Sequence, residues 1–246
     1  MTLSDYVRSI ITATVYDVAI RTPLEQADKL SARFGNDIRL KREDLQPVFS
    51  FKLRGAYNKI SQLSDEQKAK GIICASAGNH AQGVAYSANR LNLNNLIVMP
   101  KTTPDIKVQA VKAFGGTVHL HGDSFDEANR FAIDKATTDG MTYIAPYDDE
   151  LVIAGQGTVA LELSQDWRDM EYVFVPVGGG GLVAGVSAFL GEVAPHVKVI
   201  AVESEGASCL KVALADGERT RLPQVSLFAD GVAVAQIGQI PFDIAN

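Results

Sequence analysis

Cysteines, an excess of basic residues and long apolar runs are all missing or scarce in this chain. Its two cysteines, Cys74 and Cys209, are too few for a disulfide framework or a cysteine-rich metal site, which fits a reducing compartment. A net charge of −6 disfavours a nucleic-acid or anionic-membrane partner, since both require a basic face. No apolar run approaches the roughly 18 residues of a membrane span, and the N-terminus lacks the pattern of a signal peptide. We therefore expect a cytoplasmic protein with no nucleic-acid and no membrane partner.

What the chain does contain is a regular alternation of strand-like and helix-like segments. At 246 residues and 46% hydrophobic content, it can bury a sizeable core. Apolar runs predict strands at 38–41, 71–75, 96–100, 117–120, 141–144, 172–177 and 197–202. Helical spacing predicts helices between them, including 155–165, 182–190 and 209–215. This order predicts an α/β fold with parallel twisted sheets flanked by helices.

The two ends of the chain give weaker signals. Leu24, Ala27, Leu30 and Phe34 recur at helical spacing and predict a helix directly after Pro23. The last dozen residues carry no closing helix or strand pattern, so an irregular end is expected there.

Four consecutive glycines, Gly178, Gly179, Gly180 and Gly181, stand between a predicted strand and a predicted helix. This position suits an anion site, because glycine lets the backbone approach closely and a helix N-terminus offers unpaired N–H groups. A flexible linker is the alternative, which the apolar segments on both sides disfavour. The kind of anion stays open, since Gly179, Gly181 and Ala184, with Glu203 about 20 residues later, also match a loose dinucleotide fingerprint. That rival interpretation is a nicotinamide-dependent oxidoreductase.

Residues 76–83, Ser-Ala-Gly-Asn-His-Ala-Gln-Gly, also follow a predicted strand and open a helix. Small residues and one amide suit a loop that lies against a planar ligand. Asn79 as an ordinary helix N-cap and His80 as a satisfied, partly buried histidine are the alternatives, and taken alone they are favoured.

Lys52 lies in residues 50–56, Ser-Phe-Lys-Leu-Arg-Gly-Ala. A lysine forms a Schiff base with an aldehyde only as the free amine, which requires a desolvated site. Phe49 and Phe51 supply apolar surroundings and Arg54 supplies a like charge, and we expect both effects to lower the pKa of Lys52. A solvated surface lysine is the alternative.

The lysine stretch, the asparagine loop and residues 175–182, Val-Pro-Val-Gly-Gly-Gly-Gly-Leu, occur in this order and are far more specific together. Together they resemble the fold-type II pyridoxal-phosphate enzymes, the tryptophan synthase β-like family. Within that family the chain is most similar to the threonine dehydratases (threonine ammonia-lyases) of the biosynthetic type. The similarity extends through residues 41–44, 153–158 and 228–234. It disfavours the oxidoreductase.

The resemblance implies a role for each matching residue. Lys52 is the catalytic residue and the covalent anchor of pyridoxal 5'-phosphate. The implied cofactor contacts are Phe51 on the ring, Asn79 on the phenolic oxygen, and the N–H groups of Gly178, Gly179, Gly180, Gly181 and Leu182 on the phosphate. The implied substrate contacts are Ser76, Ala77, Gly78 and His80, which face the carboxylate of an amino-acid substrate.

The implied activity is conversion of L-threonine to 2-oxobutanoate and ammonia, in isoleucine biosynthesis, with L-serine giving pyruvate as a secondary reaction. The resemblance also implies a homo-oligomer, a dimer or a tetramer. It implies one catalytic domain over residues 1–246, with a large lobe at about 1–57 and 148–246 and a small lobe at about 58–147.

The sequence departs from the family pattern at its C-terminal end. The segment whose serine or cysteine holds the pyridine nitrogen is not found, nor are the last elements of the large lobe or a regulatory domain. We expect an open sheet edge and exposed apolar surface as a result. A non-catalytic remnant that binds pyridoxal phosphate without turnover is therefore the alternative. His119 with His121, and Glu203 with Glu205, are weak metal candidates, and no metal is predicted.

Overall fold

The computed structural model describes all of residues 1–246. The helices are α1 (Leu3–Ile11), α2 (Asp28–Phe34), α3 (Lys52–Ser61), α4 (Asp65–Lys70), α5 (Asn79–Arg90), α6 (Asp105–Ala113), α7 (Phe125–Asp139), α8 (Glu150–Asp166), α9 (Gly181–Val193), α10 (Cys209–Asp216) and α11 (Gln239–Ala245). The strands are β1 (Leu24–Gln26), β2 (Arg39–Lys41), β3 (Ile72–Ala75), β4 (Asn95–Met99), β5 (Val118–Leu120), β6 (Thr142–Tyr143), β7 (Tyr172–Pro176) and β8 (Lys198–Val202). The predicted α/β alternation is confirmed.

A four-stranded parallel sheet in the order β5-β4-β3-β6 forms one half of the molecule. All four residues of β3 are buried, because helices cover both faces of the sheet. Ile72 and Cys74 point into a core formed with α3, α5 and α6, whereas Ile73 and Ala75 point into a second core formed with α7. Cys74 is therefore a core residue, as its apolar surroundings suggest.

The other half is built around α8 and α9. These two helices pack against each other, and α1 and α11 pack on α9. The parallel pair β7–β8 lies on α9 and supplies Val175 to the largest core. Only one face of this pair is covered: Phe174 is 69% exposed, and Tyr172, Ile200 and Val202 lie on the same open side. The predicted exposed apolar surface is present, whereas the predicted covering of both faces fails for this pair.

Helices α8 and α3 cross almost backbone to backbone. A Cβ built on Gly155 of α8 would lie 2.6 Å from the Cα of Gly55 in α3. On the far side of α8, a Cβ built on Gly185 of α9 would lie 2.9 Å from the Cα of Gly157. Glycine at these crossings lets α8 hold both α3 and α9 at short distance. Since Lys52 begins α3 and the four glycines lead into α9, α8 positions both.

Two predicted elements differ from the structure. Leu24 belongs to β1, which pairs antiparallel with β2, and the helix begins only at Asp28. The predicted irregular end is wrong as well, because residues 239–245 form α11 and bury Pro241 and Phe242. The sequence of α11 is too short to show a period.

No helix of the structure combines the length and the apolar character needed to cross a membrane.

Candidate active site

Lys52 is the first residue of α3, and its side chain points back into the molecule. Its backbone N–H donates to Ser50 Oγ at 3.2 Å, and its ammonium group donates to the carbonyl oxygen of Pro146 at 2.8 Å. The ammonium nitrogen lies 5.5 Å from the centroid of the Phe51 ring. Burial lowers the pKa of Lys52 to about 8. About one amine in ten is therefore neutral at pH 7, which makes Lys52 a usable nucleophile or base.

Arg54 does not act on Lys52 as expected. Its guanidinium is fully buried and bonds Glu43 at 2.7 Å and Glu162 at 2.6 Å. Lys41 reaches the same Glu162 carboxylate at 2.6 Å. These four residues form a buried ion network that joins the first turn of α3 to α8. Because the charge of Arg54 is neutralised there, the predicted like-charge effect on the Lys52 pKa is wrong, and burial alone lowers it.

The asparagine loop places a free amide at the start of α5. Gly78 occupies the N-cap position, and Asn79 is the first helical residue, with its side chain exposed and unpaired in the protein. The ordinary N-cap interpretation of Asn79 is therefore wrong. Ser76 Oγ accepts the Gly78 N–H at 3.2 Å, which folds the loop. The N–H groups of Ala77, Asn79, His80 and Ala81 have no acceptor in the protein, as at any open helix N-terminus.

His80 is buried beside the lysine. Its Nε2 lies 2.9 Å from the carbonyl oxygen of Ile144. Burial and the positive charge of Lys52 lower the pKa of His80 to about 3, so its ring is neutral at physiological pH. The interpretation of His80 as a satisfied, buried histidine is confirmed, because its ring is buried and hydrogen-bonded to Ile144. Its position next to Lys52 also keeps it at the candidate site.

The four glycines form a loop whose N–H groups find no partner. Gly180 has a φ of 94°, in the left-handed region, and is the N-cap of α9. The N–H groups of residues 178–182 donate to no protein acceptor, although Gly179, Gly180 and Gly181 are buried. Buried unpaired N–H groups at a helix N-terminus are costly unless an anion or water accepts from them. The flexible-linker alternative is therefore wrong, and the loop can hold an anionic group.

Residues 144–148 bring these three features together. Ile144 accepts from His80, Pro146 accepts from Lys52, and Tyr147 lies against the glycines. Sequence reasoning missed Tyr147, because a single aromatic residue between two polar turns gives no periodic signal. It also missed the C-terminal segment, where the Gly238 N–H donates to the Gly179 carbonyl at 3.1 Å.

The remaining candidates lie apart from this site. Glu203 accepts the N–H groups of Leu210 and Lys211, both at 2.9 Å, so its carboxylate caps α10. That use removes the acidic residue on which the dinucleotide interpretation depended. His119 and His121 stack on Phe131 with ring centroids at 4.9 and 4.1 Å. No group of three or more potential metal ligands exists in the structure.

Known proteins resemble the whole chain. The family described as pyridoxal-phosphate dependent enzyme matches residues 15–246. The biosynthetic L-threonine dehydratases of Salmonella typhimurium and Haemophilus influenzae are 56% and 57% identical to the chain, each over 99% of it. The processed form of threonine deaminase isoform 2 from Solanum lycopersicum superposes with a TM-score of 0.97 at 53% identity, covering 99% of this chain and 71% of that one. Maize serine racemase gives 0.93 at 32% identity, covering 97% and 73%.

The chain spans about half the length of these curated relatives, 47% and 48% of them. The family match and the structural match agree with the motifs of the lysine stretch, the asparagine loop and the glycines. They confirm the resemblance, the fold class and pyridoxal phosphate as the cofactor of the family. The chain therefore belongs to the family of pyridoxal-phosphate-dependent enzymes, with the fold of threonine deaminase.

Proposed function

We propose that this chain catalyses the conversion of L-threonine to 2-oxobutanoate and ammonia, and of L-serine to pyruvate as a secondary reaction. The reaction supplies the 2-oxo acid for isoleucine biosynthesis. Identity above 50% to biosynthetic threonine dehydratases supports this choice over racemisation, since the serine racemase of maize is only 32% identical. The proposal is carried by one observation: Pro146 contacts the activated Lys52, and the next residue, Tyr147, contacts the glycine loop with its unpaired N–H groups.

The glycine loop fits the phosphate of the cofactor. Five successive N–H groups, of Gly178, Gly179, Gly180, Gly181 and Leu182, lack a protein acceptor, and a phosphate offers acceptors for them. A side chain is excluded at Gly180, because a Cβ there would lie 2.6 Å from Ile237 and Pro241 and the backbone is in the left-handed region. Glycine at this position therefore allows the loop conformation that leaves these N–H groups unpaired.

The lysine and the asparagine fit the other end of the cofactor. Lys52 supplies an amine that burial keeps partly neutral, as a covalent anchor for an aldehyde requires. Phe51 lies beside that amine, where it would pack against the planar ring of the cofactor. The amide of Asn79 is unpaired in the protein and would donate to the phenolic oxygen.

The asparagine loop suits the substrate carboxylate. The N–H groups of Ala77, Asn79 and His80 are unpaired at the start of α5, where the helix dipole favours an anion. Ser76 and Gly78 fix the loop through their own hydrogen bond. A neutral His80 adds no charge of its own and so leaves binding to the backbone groups.

Once bound, the cofactor supplies an electron sink for the negative charge that develops at the α-carbon. Lys52, released from the aldehyde when the substrate amine replaces it there, would take the α-proton as a general base, and its lowered pKa places it near neutral pH, where such a base is effective. The β-hydroxyl leaves as water, and that water is returned when the amino group is released as ammonia. The atoms of threonine thus divide between 2-oxobutanoate and ammonia.

The arrangement of the molecule is also part of the proposal. The large lobe comprises about residues 1–57 and 148–246, and the small lobe about 58–147 closes over the substrate. The two parallel sheets and their separate cores support this division. We further propose a homo-oligomer, as the family resemblance implies, and a cytoplasmic location, supported by two free buried cysteines. Light scattering measures the oligomeric state.

The test uses the purified chain with pyridoxal phosphate. We expect an absorption band of the bound cofactor near visible wavelengths and the formation of 2-oxobutanoate from threonine. After reduction with borohydride, mass spectrometry should find the cofactor as a stable label on Lys52. Lys52→Ala removes the label and the product, whereas Lys68→Ala, on exposed α4, keeps both. A cofactor band without product would establish the non-catalytic alternative instead. The absence of both would refute the proposal.

A further inference from the structure

Tyr147 packs against the glycine loop. A Cβ built on Gly179 would overlap the Tyr147 ring, and a Cβ built on Gly181 would lie 3.0 Å from the Tyr147 Cα. Both the ring and the backbone of Tyr147 therefore touch the loop along its length. The side chain meets Gly179 through ring carbons, whereas its hydroxyl group has no hydrogen-bond partner in the protein.

The neighbours of Tyr147 hold the remaining parts of the site. On one side, the Pro146 carbonyl accepts from the Lys52 ammonium at 2.8 Å. On the other side, the Asp148 carboxylate accepts the N–H groups of Gln239 and Ile240, both at 2.9 Å. Three consecutive residues thus fix the lysine, the glycine loop and the C-terminal segment next to it.

This arrangement sets the distance between Lys52 and the glycine loop. A cofactor that is anchored by an aldehyde and by a phosphate binds tightly only if both ends fit at once. Consecutive Cα atoms are about 3.8 Å apart, so contacts made by Pro146 and Tyr147 cannot drift relative to each other. A misplacement of about 1 Å in such a two-point site is costly.

We propose that Tyr147 is a positioning residue for the phosphate: its ring holds the glycine loop at a fixed distance from Lys52. The inference rests on the proposed function and goes beyond it by assigning a role to a residue outside the glycine, asparagine and lysine motifs. It concerns the ring and not the hydroxyl group, because the side chain of Tyr147 meets Gly179 through ring carbons. Loss of the ring should weaken binding of the phosphate end and leave the aldehyde end unaffected.

The experiment compares two ligands that differ only in the phosphate. Dissociation constants for pyridoxal phosphate and for pyridoxal are measured by absorbance in the wild-type protein and its variants. Tyr147→Ala should raise the constant for pyridoxal phosphate about tenfold or more, with that for pyridoxal within about twofold. Tyr147→Phe keeps the ring and should restore the wild-type ratio. Tyr172→Ala, which removes an exposed tyrosine on β7, is the matched control.

Tyr147→Leu gives a second variant, which also removes the aromatic ring but keeps an apolar side chain, and the same selective loss is expected. Unfolding of Tyr147→Ala, checked by circular dichroism, would leave Tyr147→Leu as the deciding variant. An unchanged ratio of the two constants in the folded variants overturns the role of Tyr147. Failure of the wild-type protein to bind pyridoxal phosphate overturns the proposed function instead.

Discussion

Replacing Gly185 by alanine tests whether the crossing of α8 and α9 controls the site. The new Cβ would lie 2.5 Å from the Ile153 carbonyl oxygen and 2.7 Å from the Gly157 nitrogen. Both are backbone atoms of α8, so no side chain can rotate away. The two helices must separate by roughly 1 Å to restore ordinary van der Waals contact.

The expected cost follows from two opposing effects. Overpacking of this kind destabilises by about 1–3 kcal/mol. Alanine is a better helix former than glycine by about 0.8–1.0 kcal/mol, which offsets part of that cost. Because both contacts are with backbone atoms, the upper part of the overpacking range applies, and the net loss for Gly185→Ala should be about 1–2 kcal/mol. Gly191→Ala is the matched control, because it lies on the exposed side of the same helix with no atom within 4 Å of the new Cβ. It should stabilise by about 0.5–1 kcal/mol.

Urea unfolding followed by circular dichroism measures both free energies of unfolding. The two variants should shift the midpoint in opposite directions, and only Gly185→Ala should also weaken cofactor binding, since α9 begins at the glycine loop. A Gly185→Ala protein that equals the wild type in stability and in cofactor affinity would refute the argument.

Four further outcomes are expected. Glu162→Gln removes the carboxylate that two buried cations share and should cost about 3 kcal/mol in urea unfolding, whereas Glu66→Gln, in an exposed pair, should change stability by less than about 0.5 kcal/mol. Burial raises the pKa of Glu162, but its hydrogen bonds and ion pair with Arg54 outweigh this effect and hold the pKa below its usual 4.5. The wild type should therefore lose stability as the pH falls through the folded pKa of Glu162. The Glu162→Gln variant should lose less stability over the same pH range. Labelling of Lys52 by pyridoxal and cyanoborohydride should reach half of its maximum near pH 8, and a midpoint near 10.5 would contradict the burial argument. The double variant Lys107→Glu with Asp230→Lys reverses an exposed ion pair and should change stability by under about 1 kcal/mol. Any effect of Lys107→Glu or Asp230→Lys alone should be lost in 1 M salt.

Much of the fold could be predicted because its signals are local. The apolar runs of β3 and β7 and the spacing in α9 depend on burial along one element, which sequence records directly. The prediction for Leu24 failed because a three-residue strand has too few positions to reveal a period of two, and the helix behind it supplied a stronger pattern. Helix α11 was missed for a similar reason, since it has seven residues and Pro241 within them.

The candidate site was predictable in its motifs but not in its contacts. Lys52, Asn79 and the glycines were recognisable from their residue types and order. Whether Arg54 acts on Lys52 depends on where Glu43 and Glu162 lie, and those residues are 11 and 108 positions away. The contact of Tyr147 with Gly179 likewise arises only from the folded chain. Which groups neutralise or touch a side chain is a tertiary property that no local pattern records.

The glycine crossings also bear on how mutational scans of this protein should be interpreted. Gly55, Gly155, Gly157 and Gly185 tolerate no side chain, because backbone or buried side-chain atoms already occupy the Cβ positions. In a saturation scan they would score as intolerant as Lys52, although none of them carries a reactive group. Assays that separate abundance from turnover would distinguish the two kinds of position: substitutions at the crossings should lower the amount of folded protein, whereas Lys52 substitutions should leave that amount intact and abolish product.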